Sequence, residues 1–280
     1  MRTKAITGCL TRAQVRAFQR NIYAYYAEHG RDLPWRATSN PYHILVSEIM
    51  LQQTQVQRVT EKYEQFIGAF PDFRSLADAP LQDILRVWHG LGYNRRALAL
   101  KKIAQKVVTD FDGVLPSDPK TLATFPGIGK ATAGAVCAFA YNQPIAFVET
   151  NIRTVFIHFF FRDRDRVSDT EILQLVKQTI DTANPRTWYY ALMDYGVMLK
   201  QTDRDLNKRS AHYKRQTPFH GSNRQLRGKI LRLLTEKGRI SQTQVARRLK
   251  TNPQRTSACL KQLQADGFIK KRGRLFVIAE

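Results

Sequence analysis

The sequence predicts a mainly α protein that ends in a small α+β module, and three observations carry that expectation. From about residue 10 to residue 200, apolar residues recur at helical spacing between short breaks rich in Pro, Gly and Asp. Residues 200–226, KQTDRDLNKRSAHYKRQTPFHGSNRQL, lose this periodicity and are crowded with Lys, Arg, Asn, Ser and Thr, as a linker crossing basic surface would be. Beyond them the pattern returns as three short helices followed by two strands.

The breaks in the first part fall at Gly30–Pro34, Phe70–Asp72, Gly113–Pro119, Pro126–Gly129 and Asn142–Pro144. Glycine ends helices by turning left-handed, and proline cannot continue one. The predicted organisation is a helical domain over residues 1–200, a basic linker over 201–226 and a third segment over 227–280. In that last segment a helix runs from about Arg227 to Glu236, a second opens at Ser241, and a third spans about Pro253 to Ala265. Asn252 is the N-cap of the third, Pro253 its first residue, and Gly267 follows its end. The tail FIKKRGRLFVIA reads as two strands around a glycine-containing turn. Three helices and a basic hairpin resemble a winged-helix domain, whose third helix enters the major groove while the wing touches the backbone. Thr256, Ser257, Lys261 and Gln262 are then expected to face DNA, with Lys270, Lys271, Arg272 and Arg274 on the wing. A protein-binding role for the same module is the alternative.

A chain of 280 residues with 43% apolar content can build two cores. The N-terminal MRTKAITGCL has no apolar run of signal-peptide length, and no stretch approaches the roughly 18 apolar residues of a bilayer span. A cytoplasmic, nucleoid-associated monomer without membrane contact is expected. Cys9, Cys137 and Cys259 are too few and too scattered for disulfides, a zinc site or an iron–sulfur cluster, so no cofactor is expected. Net charge is +22; from Lys200 onward 21 Lys and Arg face five Asp and Glu, a net +16, which leaves +6 for the first 199 residues. Such a field attracts phosphate polymers and anionic membranes alike, so the motifs must choose among them.

The clearest motif is Leu122-Ala-Thr-Phe-Pro126-Gly127-Ile-Gly129-Lys130-Ala131-Thr132, in which two glycines join two helical patterns. A turn this tight can aim backbone N–H groups and the next helix N-terminus at a phosphate, which makes Gly127, Gly129, Lys130 and Thr132 candidate DNA contacts. An ordinary helical hairpin can use the same residues. Four further stretches stand out: Arg31-Asp-Leu-Pro-Trp35-Arg36, Ser47-Glu48-Ile-Met-Leu51-Gln52-Gln53-Thr54, His89-Gly-Leu-Gly-Tyr93 and Ala191-Leu-Met-Asp194-Tyr-Gly. Together with the glycine hairpin and Glu149-Thr-Asn151-Ile-Arg153 after it, they resemble the MutY adenine glycosylases of the helix-hairpin-helix (HhH-GPD) superfamily over roughly residues 15–200.

The resemblance implies a two-lobed helical domain that binds double-stranded DNA, flips a base and cuts its bond to the sugar. Expelling adenine needs a proton on the leaving base and negative charge beneath an oxocarbenium-like sugar. By the match Glu48, on the apolar helix ILVSEIML, is the general acid; Glu149 is the carboxylate under the sugar, and Asn151 orients it. Desolvation among those apolar neighbours is expected to keep Glu48 protonated. Arg31, Trp35 and Arg36 correspond to the base pocket, although Trp35 can equally be core. Gln53 and Tyr93 correspond to residues inserted into the duplex, with Leu51 and Gln52 beside them.

Four departures qualify the resemblance. The segment after ALMDYG lacks the four cysteines of the family's iron–sulfur cluster. Tyr213, Pro218 and Phe219 are expected to pack on the helical domain in its place. Ala131 stands where bifunctional relatives carry the lysine that forms a Schiff base, so the expected enzyme is monofunctional unless Lys130 reaches the sugar. The MutT-like C-terminal domain is replaced by the winged helix, which opens the question of the base opposite adenine, 8-oxoguanine or another. Position 149 carries glutamate where aspartate is usual. Two other readings stay open: a uracil or thymine mismatch glycosylase, and a non-catalytic damaged-DNA-binding protein.

Overall fold

The computed structural model describes residues 9–203, 205–213 and 218–280; residues 1–8, and positions 204 and 214–217 within the expected linker, lie outside the described residues. In chain order the helices are α1 (Arg12–His29), α2 (Pro41–Leu51), α3 (Val56–Ala69), α4 (Phe73–Asp78), α5 (Leu81–Trp88), α6 (Arg95–Asp110), α7 (Pro119–Leu122), α8 (Lys130–Tyr141), α9 (Thr150–Phe160), α10 (Asp169–Thr179), α11 (Pro185–Thr202), α12 (Asn223–Lys237), α13 (Gln242–Leu249) and α14 (Pro253–Ala265). The strands are β1 (Arg239–Ser241), β2 (Ile269–Arg272) and β3 (Leu275–Ile278). The chain is mainly α, and its helices stop where glycine, proline and aspartate interrupt the apolar pattern.

Two compact units form, each assembled from separate stretches of sequence. The first takes the chain up to Ile44, Ser117–Thr124, and Ile128 to the linker. Its centre is aromatic: the Phe18 ring on α1 meets the edges of Phe156, Phe160 and Trp188 at 5.1–5.7 Å between centroids. The α9 and α11 helices approach closely because Gly196 has no Cβ, which would lie 2.6 Å from the backbone oxygen of Asn151. The beginning of the predicted linker is tied into this unit. Leu206 is buried, and Val167 and Ser210 form a parallel bridge.

The second unit combines Leu45–Pro116, Phe125–Gly127 and the chain beyond the linker. Phe66 and Trp88 anchor its helical part, and the Trp88 indole donates to the carbonyl of Gly92 at 3.0 Å. The C-terminal segment is a winged helix with strand order β1-β3-β2, antiparallel throughout, Ile240 facing Phe276 and Lys271 facing Phe276 from the other side. Asn252 caps α14 and Ser241 caps α13, as the sequence suggests. Two details differ from expectation. Ser222 caps α12, which therefore starts at Asn223 rather than near Arg227, and the three-residue strand β1 is too short to leave an alternating pattern. The winged helix also packs into one unit with α5 and α6. Gln82 donates to the Thr235 carbonyl at 3.0 Å, and Arg95 pairs with Asp266 at 2.9 Å.

Candidate active site and nucleic-acid interface

In the first unit, Glu149 is the N-cap of α9, with extended backbone (φ −121°, ψ 178°). Its Oε1 accepts the backbone N–H groups of Asn151 at 2.6 Å and Ile152 at 2.8 Å. The Asn151 side-chain amide donates to Oε2 at 3.2 Å, and the Lys200 ammonium donates to the Asn151 Oδ1 at 2.6 Å. A chain of hydrogen bonds thus runs from Lys200 through Asn151 to Glu149. The positive end of the α9 dipole and the ammonium both favour an anion here. Burial lowers the Lys200 pKa, opposed by the Glu149 charge and reinforced by Arg153 and Arg31.

Lys200 was not singled out by the sequence. The signal existed, because Gly196 and Lys200 are four residues apart on α11 and so share a face. The Glu149 side chain folds back on the first turn of its own helix.

Asp194, on α11, draws together two of the expected base-pocket residues. Arg31 donates through its backbone N–H at 2.8 Å and its Nε at 2.7 Å; Arg36 donates with Nη1 at 2.8 Å and Nη2 at 2.7 Å. Burial alone would raise the Asp194 carboxyl, but the hydrogen bonds from Arg36 and Arg31 outweigh it and leave the pKa below the usual carboxylate range. Arg36, the second arginine expected at the base pocket, is drawn into this cluster. Its side chain is only 8% exposed, and its guanidinium is spent on Asp194, the Arg31 carbonyl and the Tyr190 ring 4.5 Å away. Trp35 is core, the plainer of its two sequence readings. Arg31 keeps more of its side chain in solvent. Gly129 caps α8 with open space over its Cα, and Lys130 beside it is exposed while Thr132 is half-buried.

In the second unit, Glu48 is half-buried on α2, between the buried Ser47 and Ile49. The turn after α2 holds Leu51, Gln52 and Gln53; Gln53 is exposed with φ +55°, a strained left-handed conformation for a residue with a side chain. Tyr93, in the turn before α6, has φ +47°. One buried side chain fixes both turns. The Arg96 guanidinium donates to the carbonyls of Ile49, Met50, Gln52, Leu91 and Gly92 at 2.6–3.3 Å and to the Thr54 hydroxyl at 2.9 Å. Burial pushes its pKa down to about 10. Sequence reasoning passed over Arg96 because an arginine near a helix start reads as solvated surface.

Gly127 has φ +78°, and a Cβ there would come within 3.1 Å of the Ala99 Cβ, so conformation and space both require glycine. The Gln52 amide donates to its carbonyl at 3.2 Å.

On the winged helix, Lys261, Lys271, Arg272 and Arg274 are exposed, and Ser257 and Lys270 are half-exposed. Lys270 and Arg272 share Glu280 at 2.7 and 2.9 Å, which offsets part of the wing's charge. Thr256 is corrected: it is 0% exposed, hydrogen-bonded to the Thr251 hydroxyl at 2.8 Å and the Asn252 carbonyl at 3.0 Å, and pins the start of α14 rather than facing DNA. The expected packing of Tyr213 and Phe219 is also corrected. They are 48% and 50% exposed, and Pro218 is exposed too.

An iron–sulfur cluster of the family's kind needs four thiolates at one place. The chain has three cysteines: Cys9 is exposed, Cys137 is buried on α8 with its thiol donating to the Ser117 carbonyl, and Cys259 is buried in the winged helix. These residues do not fit such a cluster. Among the described residues no helix is long and apolar enough to cross a membrane.

Residues 46–179 match the family described as HhH-GPD superfamily base excision DNA repair protein, and residues 224–270 match a winged helix-turn-helix DNA-binding family. The adenine DNA glycosylase of Mycolicibacterium smegmatis is 34% identical over 269 residues, covering 89% of this chain and 92% of that protein. The adenine DNA glycosylase of Buchnera aphidicola subsp. Baizongia pistaciae is 37% identical over 187 residues, 65% of this chain and 52% of that protein, so the chain spans about half of this relative. A solved thermostable thymine-DNA glycosylase superposes with a TM-score of 0.59 at 26% identity, covering 66% of this chain and 86% of its own.

Proposed function

Because the chain belongs to the HhH-GPD superfamily of base excision DNA repair proteins, with adenine DNA glycosylases among its relatives, we propose that it is a monofunctional glycosylase that flips adenine out of duplex DNA and hydrolyses its bond to the sugar. The observation that most supports this reading is the seating of Glu149. A carboxylate held by two backbone N–H groups at a helix start, and by the Asn151 amide under Lys200, is a fixed negative charge of the kind that stabilises an oxocarbenium without reorganising. Glu48 donates the proton that turns adenine into a neutral leaving group. Water adds to the sugar carbon and an abasic site remains. Ala131 has no amine to trap that sugar, so strand cleavage does not accompany base release. Lys200 and Asn151 act by positioning Glu149.

Product analysis tests this directly. Duplexes carrying adenine opposite guanine, 8-oxoguanine or cytosine are incubated with the protein and treated with alkali; cleavage only after alkali supports the reading, whereas cleavage without alkali or a borohydride-trapped complex would contradict the monofunctional part. A second reading, removal of thymine or uracil, is favoured by the thymine-DNA glycosylase likeness. It predicts release from thymine·guanine and uracil·guanine duplexes in the same panel and none from adenine.

A further inference from the structure

Arg96 is the second residue of α6, yet it is 8% exposed and its charge is met by carbonyl dipoles. Nη1 donates to the carbonyls of Ile49 at 3.0 Å, Met50 at 2.6 Å and Gln52 at 2.6 Å. Nη2 donates to the Thr54 hydroxyl at 2.9 Å and to the carbonyls of Gly92 at 3.2 Å and Leu91 at 3.3 Å. The fully buried Trp88 ring has its centroid 5.4 Å from the guanidinium carbon. Burying a charge on neutral dipoles is costly in stability, so the effect to look for is geometric.

That geometry joins three pieces of chain. Ile49 and Met50 belong to the last turn of α2, where helix carbonyls have no partner within the helix, and Arg96 caps them. Gln52 and Thr54 flank Gln53, whose backbone is left-handed at φ +55°, and Leu91 and Gly92 lead into Tyr93 at φ +47°. Residues with side chains keep such conformations only where surrounding bonds over-determine them. A planar fork of donors meets both turns at once, which the point charge of a lysine does not reproduce. Glu48 directly precedes the first bonded carbonyl, so the same fork also sets the end of the helix that carries the expected acid.

We propose that Arg96 is a positioning residue for base eversion: it holds the end of α2, with Glu48, and the Gln53 and Tyr93 turns as one block that stays rigid while a base is pushed out of the duplex. It acts through the turns and not by touching the base, because its guanidinium is already engaged by six acceptors. The inference rests on the glycosylase reading above, since a protein that leaves bases stacked puts no load on this block.

The test uses the full chain and two duplexes that differ in how hard adenine is to evert. Opposite guanine it is paired; opposite a tetrahydrofuran abasic analogue it has no partner. Arg96→Lys keeps the charge and loses the fork. Its single-turnover excision is expected to fall about a hundredfold opposite guanine and about tenfold or less opposite the analogue, while affinity by anisotropy stays within about threefold. A general folding defect lowers both rates alike, so equal losses overturn the proposal. A second arm needs no excision: 2-aminopurine replaces the adenine opposite guanine, and its emission is followed by stopped flow. Saturating wild type is expected to raise the emission about twofold or more as the base leaves the stack, and Arg96→Lys to lose most of that rise. A full rise in the variant, or none in wild type, overturns the assignment. Thr54→Val removes one acceptor without changing shape and serves if Arg96→Lys does not fold. It should show the same guanine-selective loss at about threefold, and an unchanged or unselective rate overturns the proposal. If no adenine leaves either duplex while the emission arm behaves as stated, the excision chemistry is wrong and the positioning role stands.

Discussion

Glu149, Asn151 and Lys200 act as one hydrogen-bonded line, and its members should differ in how they fail. Glu149→Gln keeps the side chain's reach and removes its charge, so single-turnover base release should fall about a hundredfold or more. Glu149→Asp keeps the charge but draws the carboxylate back by about 1.5 Å, one bond length. Because the cap geometry is built for the longer side chain, this variant should also be slower than wild type; a faster Glu149→Asp would show that the site had not adapted to glutamate. Lys200→Met removes the donor that fixes Asn151. The expected outcome is a rate loss on the order of tenfold from misplacement, with DNA affinity and thermal midpoint little changed. Glu48→Gln removes a proton donor while leaving the basic surface intact, so base release should be abolished while binding stays within a few-fold. Full activity in Glu48→Gln would move the acid to another residue.

At the scale of elements, Asp194 fastens the 3-10 turn at Pro34–Arg36 to α11 by pairing with both Arg31 and Arg36. Its folded pKa lies below the unfolded value of about 4, so the stability it contributes is complete above that value and is lost as pH falls through the lower, folded pKa. Asp194→Asn leaves two arginines near an uncharged amide and should cost about 3 kcal/mol at pH 7 by urea unfolding. The gap between wild type and variant should close as pH drops below about 4; a gap independent of pH would mean that packing rather than charge holds this junction. Helix ends were legible in the sequence where a cap residue wrote them, as at Ser241 and Asn252. The glycine turn at Gly127 was legible for the same reason, a conformation only one residue tolerates cheaply. What could not be read was partnership across the chain. Nothing in RDLPWR tells that Asp194, about 160 residues away, pairs with both of its arginines, and nothing local marks Arg96 as buried or Lys200 as half-buried. Thr256 shows the same limit in miniature, since helical phase near a capped start does not tell which hydroxyl turns inward.

At the scale of the whole molecule, the sequence places the winged helix after a linker as a separate module, whereas it shares a unit with α5 and α6 through Gln82–Thr235 and Arg95–Asp266. The composition explains why the sequence pointed the other way: a net +16 after Lys200 describes a DNA-facing surface and carries no information about which face packs inward. Both uses are testable in one variant. Removing residues 218–280 strips the exposed Lys261, Lys271, Arg272 and Arg274 and also uncovers the side of α5 that α12 occupies. If the module touches phosphates, the slope of log affinity against log salt should fall by about 0.9 for each phosphate no longer neutralised, a total of roughly 3.6 if each of these four side chains meets one. If it is also part of the fold, the thermal midpoint of the remaining chain should drop by about 5 °C or more, since each kcal/mol is worth a few degrees at this size. A lower midpoint with an unchanged slope would make the winged helix a scaffold for the helical part alone. A lower slope with an unchanged midpoint would make it an independent DNA reader and would contradict the shared unit. The expected result is that both fall together, because α12, which buries Leu226, Ile230 and Leu234 and packs on α5, ties the basic module to the helical part of its unit.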